Sequence, residues 1–318
     1  MNNLRGIGEN LNLIEKFEQS KLYELLKANK NEFLTCIRDN EIAVYYNSDR
    51  VAKVYLSRGQ LKCKINTYYM NDSYQTETDT KSNEKVYRIE DIVSNIDKIK
   101  RNSDKRCTPE KKAQQAIVSA NNANPNSEWF CFDIEYRQSQ KVQQKDFFTG
   151  RFDILAISKK SPHRLAVIEL KYNTNSIGGK SGIVKHISDF KIFTDSERCI
   201  SNLKNEVRHI IADMKSLDLP SIHLEYDQIE DPKFYVICLY DTEELSRGTV
   251  GAYLFNYKRK NWGIKRVSKL NVMDILGEEY DIESPNCPIK LSFLFKQVKS
   301  PIDLGITDIL NAEQYDKE

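Results

Sequence analysis

The sequence has few of the features that mark secreted, zinc-stabilised or membrane proteins. Its seven cysteines are odd in number and never form a Cys-x-x-Cys pair, which argues against a disulfide framework or a structural zinc site and favours a reducing compartment. No apolar run is long enough to cross a bilayer, and the first residues lack the apolar core of a signal peptide. We therefore expect a cytoplasmic protein without a membrane partner.

An excess of charge of either sign is also missing. The 318 residues carry 48 Lys and Arg against 46 Asp and Glu, a formal net charge of +2. A nucleic-acid-binding surface would therefore have to come from local patches of basic residues rather than from the charge of the whole chain. The composition, 30% charged and 40% hydrophobic, fits one large or two ordinary globular domains. Internal repeats and low-complexity tracts are not present.

The N-terminal third has the pattern of a small strand-rich module. Apolar residues at helical spacing over 11–28 predict a helix. Runs of β-branched and aromatic residues then predict an antiparallel meander, with turns at 47–49 and 58–60. The predicted strands are 41–46, 51–56 and 61–69. A polar loop over 71–84, a short helix within 87–99 and a basic stretch over 98–112 follow. We place a domain boundary there, with modules at 1–105 and 106–318.

The second module begins with a helix start signal. Thr108 is a suitable N-cap, Pro109 suits the first helical position and Glu110 lies in the first turn. The helix is expected to run to about residue 121. The later patterning predicts further helices over 183–193 and 197–217, and strands over 129–137, 151–157, 164–172, 234–240, 249–257, 263–267 and 289–295. The core order is therefore α-β-β-β-α-β.

Two of these strands contain charged residues in otherwise apolar segments. Asp153 lies on the second strand, and Glu169 and Lys171 lie on the third, where alternation points both of their side chains to one face. Burying a carboxylate or an ammonium is costly unless it is paired or holds a metal. Such a cost indicates a functional site. The alternative is that these residues form a purely structural ion pair between strands.

This element order, with Asp153 followed by Glu169-Leu170-Lys171, resembles the PD-(D/E)xK nuclease superfamily over about residues 108–241. Phe152 stands where the name of the family has a proline. The resemblance implies an α/β (α+β) fold, with a restriction-endonuclease-like αβββαβ core and a mixed central sheet. It also implies that Asp153, Glu169 and the backbone carbonyl of Leu170 bind metal and that Lys171 is the catalytic lysine.

The chemistry of phosphodiester hydrolysis suits these residue types. Two carboxylates can hold Mg²⁺, with Mn²⁺ as a substitute, while the metal keeps several waters, orients the phosphate and lowers the pKa of a bound water. A neighbouring lysine can position the attacking water or stabilise transition-state charge. Many members of the family carry a further acid on the preceding helix, which makes Glu110 a candidate for the catalytic set. The alternative for Glu110 is a favourable interaction with the helix dipole.

Several other polar residues are weaker candidates for the same pocket. Asp133 and Glu135 share a face of the first strand. Glu135 could be a ligand of a second metal or a neighbour of the phosphate site, and the equal alternative is that both are simply polar residues of a half-exposed strand. Lys180 lies in a glycine-rich loop over 178–182, whose backbone N–H groups could bind phosphate at a helix start; a simple loop is slightly favoured. Lys180 and Lys185 are also candidate nucleic-acid contacts. Lys185 and His186 lie on the next helix, which in the family that this sequence resembles often supplies a polar residue to the pocket; the alternative for His186 is a surface or packing role.

A basic hairpin near the C-terminus is a candidate nucleic-acid contact. The stretch 257–266, predicted to form the hairpin, combines Tyr257 and Trp262 with a run of cations, a mixture that suits phosphate contact and base stacking. The cations singled out are Lys258, Arg259 and Lys260. A solvated hairpin tip is at least as good an interpretation.

The expected function is that of a Mg²⁺-dependent endonuclease, a hydrolase with DNA favoured over RNA as its substrate. By analogy alone, a nuclease with a separate N-terminal module suits restriction or anti-phage defence. That module would recognise the target, a protein partner or a second copy in a homodimer. Two alternatives remain open, namely an inactive nuclease-like module that binds nucleic acid or protein, and an RNA-directed nuclease.

Overall fold

The computed structural model describes residues 5–8, 11–71, 83–138, 150–173, 183–241, 279–282 and 291–300. In these ranges the chain is a mixed α and β protein with two sheets. Its helices are α1 Leu11–Glu18, α2 Lys21–Ala28, α3 Thr67–Met70, α4 Ile89–Ser94, α5 Ile96–Arg106, α6 Pro109–Ala123, α7 Ile183–Thr194 and α8 Glu197–Ser216. Its strands are β1 Phe33–Arg38, β2 Glu41–Tyr46, β3 Asp49–Ser57, β4 Gln60–Asn66, β5 Glu84–Tyr87, β6 Trp129–Tyr136, β7 Phe152–Ser158, β8 His163–Tyr172, β9 Ile229–Tyr240, β10 Glu279–Ile282 and β11 Leu291–Gln297. None of the helices in these ranges is long and apolar enough to cross a membrane.

The chain divides into two compact units. The first contains residues 1–115 and 205–222, and the second contains 116–204 and 223–318. The sheet of β1 to β5 belongs to the first unit and the sheet of β6 to β11 to the second. The boundary near residue 105 that the sequence suggests stays a prediction. The first unit also contains the segment 205–222, with most of α8, which sequence order does not suggest.

The first unit is an antiparallel meander with helices. Its five strands pair in sequence order, β1-β2-β3-β4-β5. Two-residue turns at Asn47-Ser48 and Arg58-Gly59 have positive φ at both positions, the conformation that matches the twist of a tight hairpin. The meander predicted over 41–69 is therefore confirmed, with β1 and β5 as further strands.

Local capping explains where this unit departs from the predicted elements. The single helix expected over 11–28 is two helices, because the Ser20 side chain caps α2 by accepting a hydrogen bond from Tyr23 N at 3.2 Å. The strand expected over 61–69 ends at Asn66, whose Oδ1 accepts from Tyr68 N at 2.9 Å and starts the short helix α3. In both cases a short polar side chain satisfies an amide at a helix start.

The sheet of the second unit is mixed. Its strand order is β10-β11-β9-β8-β7-β6. The pairs β6–β7 and β7–β8 are antiparallel, whereas β8–β9 is parallel and is connected through α7 and α8, as a parallel pair requires a crossover. The predicted order α-β-β-β-α-β is thus observed, with two consecutive helices before β9, and the α+β class is confirmed.

Burial on both faces holds β7 and β8 at the centre of this sheet. Apart from Asp153 and Arg164, every residue of the two strands is buried. Helix α7 covers one face through Phe190, whose ring lies 4.7 Å from that of Phe234 on β9. Phe193, one turn further, contacts Phe152 with ring centroids 5.4 Å apart. This aromatic packing fixes α7 against the strands that carry the candidate site.

Candidate functional site

The register of β7 and β8 brings the predicted acidic residues together. Ile154 lies opposite Ile168 and Leu155 opposite Val167 in the antiparallel pair. One step further along the same register, Asp153 faces Glu169, so the two side chains point to the same side of the sheet. Alternation along β8 had indicated only that Glu169 and Lys171 share a face; the placement of Asp153 on that side follows from the strand register.

Glu169 is the most buried member of the site, with 1% of its surface exposed. Its Oε1 lies 2.5 Å from Nζ of Lys171, which is itself 4% exposed, and 2.9 Å from Nε2 of His186 on α7. Its other oxygen, Oε2, is buried and has no hydrogen-bond partner among the described residues. One carboxylate oxygen is therefore held by two donors, and the other has none among the described residues.

Asp153 is held by the backbone of the neighbouring strand. Its Oδ2 accepts a hydrogen bond from Leu170 N at 2.9 Å. Burial and, after it, the nearby charge of Glu169 raise the pKa of Asp153 to about 6, against the opposing effects of Lys171, the Leu170 N–H and His186. A carboxyl group whose pKa is raised by burial and by a neighbouring carboxylate favours a bound cation or a shared proton.

His186 responds to the same carboxylate. Burial opposes its protonation, but the hydrogen bond to Glu169 and the charge of that group outweigh burial, so the pKa of His186 is raised above its ordinary value. Lys171 acts against this rise and Asp153 adds to it. Asp153, Glu169, Lys171 and His186 thus form one electrostatic cluster, which we call the acidic–basic cluster.

The acidic–basic cluster meets part of what a divalent cation requires. Mg²⁺ is commonly bound through one or two carboxylates and keeps several waters. Asp153 and Glu169, which the register of β7 and β8 places opposite each other, supply two carboxylates, and Oε2 of Glu169 has no hydrogen-bond partner in the described part of the chain. In contrast to this partial fit, the described residues contain no group of three or more His, Cys, Asp or Glu side chains arranged to hold a metal. Leu170 contributes its N–H to Asp153, and a role of its carbonyl oxygen in metal binding stays a prediction.

The other acidic candidates lie in different settings. Glu110 is partly exposed in the first turn of α6 and belongs to the first compact unit, so its part in the site stays a prediction. Asp133 is buried, and its Oδ1 accepts from Ile134 N at 2.8 Å. Glu135, with φ of 52°, forms an ion pair of 2.7 Å with Arg151. Both strand acids therefore have local partners.

Of the five cations singled out as nucleic-acid contacts, only Lys185 falls in a described segment. It is exposed on α7 and forms an ion pair with Asp189 one turn later. The loop over 178–182 with Lys180, the strands predicted over 249–257 and 263–267, and the basic hairpin lie outside the described residues. The hairpin cations are Lys258, Arg259 and Lys260.

A polar clasp at the end of β8 was not foreseen. Asn173 Nδ2 donates to Asp241 Oδ2 at 2.9 Å, and Asp241 N donates to Asn173 Oδ1 at 3.1 Å. Tyr172 OH also donates to Asp241, and burial together with this carboxylate raises the pKa of Tyr172 to about 12. The clasp joins the carboxyl ends of β8 and β9 two residues beyond Lys171. No short motif signals it, because the partners are 68 residues apart.

Comparison with known proteins identifies no relative. No protein-family model matches the chain, and neither a curated protein nor a solved structure is significantly similar to it. The acidic–basic cluster and the sheet that carries it are therefore the observations from which a function has to be inferred.

Proposed function

We propose that this protein is a metal-dependent nuclease of the PD-(D/E)xK type that hydrolyses phosphodiester bonds, with DNA favoured as its substrate. The observation that carries the proposal is the buried Glu169, which lies opposite Asp153 in the strand register. Its Oε1 is held by Lys171, and its Oε2 has no hydrogen-bond partner among the described residues. The strand pairing around it supports the same proposal, since two antiparallel pairs followed by a parallel one suit a restriction-endonuclease-like core.

Each residue of the acidic–basic cluster has a role in this proposal. Asp153 and Glu169 would hold Mg²⁺ or Mn²⁺, and a bound divalent cation supplies charge neutralisation at phosphate and lowers the pKa of water. Lys171, held beside Glu169, would stabilise the negative charge that develops on the phosphate oxygens. The oxygen of water would bond to phosphorus while the bond to the 3′ oxygen breaks, leaving a 5′-phosphate and a 3′-hydroxyl.

The role of the first compact unit is proposed by analogy. A strand-rich unit that precedes a nuclease would recognise the target, a protein partner or a second copy of the chain. In that setting the protein would serve restriction or anti-phage defence in the cytoplasm.

A second candidate function has one observation in its favour. Because the described residues contain no group of three metal-ligating side chains, a nuclease-like module that binds nucleic acid without cleaving it also fits. In that case the ion pair of Glu169 and Lys171 would be structural.

Plasmid nicking separates these candidates. We expect the purified chain to nick supercoiled DNA with Mg²⁺ or Mn²⁺ and to stop when EDTA is added. Lys171→Ala should lose this activity, whereas Lys191→Ala, which removes a lysine of α7 that pairs with Asp195 just after the helix, should keep it. Binding without cleavage in both metals would contradict the nuclease proposal. Preferential cleavage of single-stranded RNA would change the substrate to RNA.

A further inference from the structure

The two oxygens of Glu169 differ in a way that the proposed function does not explain by itself. Lys171 from the same strand and His186 from α7 both contact Oε1, at 2.5 and 2.9 Å. No described residue donates to Oε2, although this atom is buried. A buried carboxylate oxygen without a hydrogen bond costs free energy. The arrangement, in which both donors contact Oε1, is consistent with a ligand that binds Oε2.

Two donors are needed to set the plane of the carboxylate. The last torsion of a glutamate side chain has a broad, roughly two-fold profile, so a single contact leaves the plane of the carboxylate loosely defined. Lys171 offers a flexible ammonium on a four-carbon stem. His186 adds a rigid ring from a different element, and its Nε2 must carry the hydrogen because a carboxylate oxygen can only accept.

The position of His186 is fixed by the packing of its helix. Phe190 lies one helical turn after His186 and therefore on the same face of α7. Its ring stacks on Phe234 of β9 at 4.7 Å, and Phe193 packs edge-on against Phe152 of β7 at 5.4 Å. The imidazole is thus presented to β8 by an aromatic anchor that touches the strands on either side of it.

We propose that His186 is a positioning residue, which together with Lys171 holds Glu169 through Oε1 and so directs Oε2 toward Asp153 as the single ligand atom of this side chain. The inference rests on the proposed function. It assigns to His186 no contact with substrate and no proton transfer. Its consequence is that metal affinity depends on a hydrogen-bond donor at position 186.

Mn²⁺ titration of the full metal-free chain by isothermal calorimetry tests the inference. His186→Gln keeps a side-chain N–H donor and is expected to bind Mn²⁺ within about 3-fold of the wild type. His186→Leu has a similar volume but no donor, and its Kd should rise about 10- to 100-fold, the usual effect of losing a hydrogen-bond partner of a metal ligand. Nicking by His186→Leu should recover as the Mn²⁺ concentration is raised, because the chemical groups remain.

The controls separate positioning from folding and from the nuclease proposal. His223→Gln changes an exposed histidine of the same unit and should leave Mn²⁺ binding unchanged. If circular dichroism shows that His186→Leu is unfolded, His186→Ala takes its place in the titration. Wild-type affinity in a folded variant without a donor, or equal losses in the Gln and Leu variants, would overturn the inference while wild-type cleavage still supports the proposed function. A wild-type chain that neither binds Mn²⁺ nor cleaves would overturn both.

Discussion

Replacing Asp153 by asparagine should make the metal-free protein more stable above about pH 6 while it abolishes cleavage. In the folded chain the pKa of Asp153 is raised from its ordinary value of 3.8 to about 6, first by burial and then by Glu169. The folded state therefore binds the proton more tightly than the unfolded state does. As pH rises from about 4 to about 6, ionisation removes this advantage, and the wild type loses stability that an uncharged side chain would keep.

The size of the effect follows from the same values. A pKa that moves from 3.8 to about 6 corresponds to at most about 3 kcal/mol, and the partial exposure of Asp153 reduces this to roughly 1–3 kcal/mol. The amide side chain of the Asp153→Asn variant keeps an oxygen that can accept the Leu170 N–H, so this hydrogen bond is retained. Added Mg²⁺ should reverse the ranking in part, because at ten times its Kd it stabilises only the wild type, by about 1.4 kcal/mol.

Urea unfolding in EDTA, followed by circular dichroism at pH 4.5, 6 and 8, measures this difference. The free energy of unfolding of Asp153→Asn minus that of the wild type should rise with pH and level off above about pH 7. Lys191→Asn, an exposed substitution on α7, should show no such rise. A difference that does not change with pH, or a variant that is less stable than the wild type at pH 8, would refute the raised pKa of Asp153 and its cause, desolvation beside Glu169.

Three further predictions test other parts of the molecule. Lys171→Ala should abolish cleavage and should lower the free energy of unfolding by about 3 kcal/mol, because it leaves Glu169 buried with one donor fewer. Lys171→Met keeps the packing and should be equally inactive. A normal cleavage rate in either variant would contradict the role proposed for Lys171. Phe190→Ala should lower the free energy of unfolding, measured in urea, by about 3–5 kcal/mol, whereas Ile192→Ala at an exposed position should lower it by less than about 0.5 kcal/mol. Similar values for the two variants would show that Phe190 does not anchor α7 to the sheet. Neutralising the cations of the predicted hairpin, Lys258, Arg259 and Lys260, should weaken DNA binding and reduce the slope of log K against log salt concentration by up to about 3. An unchanged slope would show that these cations do not contact DNA.

Most of the secondary structure could be read from the sequence because strong local signals produce it. Thr108 caps α6 with a hydrogen bond from Lys111 N, as the Thr-Pro-Glu start signal predicts. The apolar runs of β7 and β8 predicted strands buried on both faces, which they are. The errors lie at element ends, where one side chain decides the boundary. Ser20 splits the first helix and Asn66 ends β4. Neither boundary was predicted, because the apolar pattern continues across both residues.

The site was partly predictable for a related reason. Alternation along a strand shows that Glu169 and Lys171 share a face, and a charge in a buried strand is unusual enough to attract notice. The role of His186 could not be read with the same certainty, because a single histidine on a helix is more often a surface or packing residue. Its place four residues before Phe190, on the face that packs against the sheet, was the one signal that could have favoured it.

The sequence by itself determined which segments form strands and helices and that a carboxylate, a second carboxylate and a lysine interrupt two apolar strands. These are local properties, set by side-chain periodicity and by the cost of burying charge. Only the tertiary structure decided the rest. The register of β7 on β8 places Asp153 opposite Glu169, and the packing of α7 delivers His186 to one oxygen of Glu169 while the other stays without a partner among the described residues. Register and helix docking depend on contacts between distant residues, which no short stretch of sequence encodes.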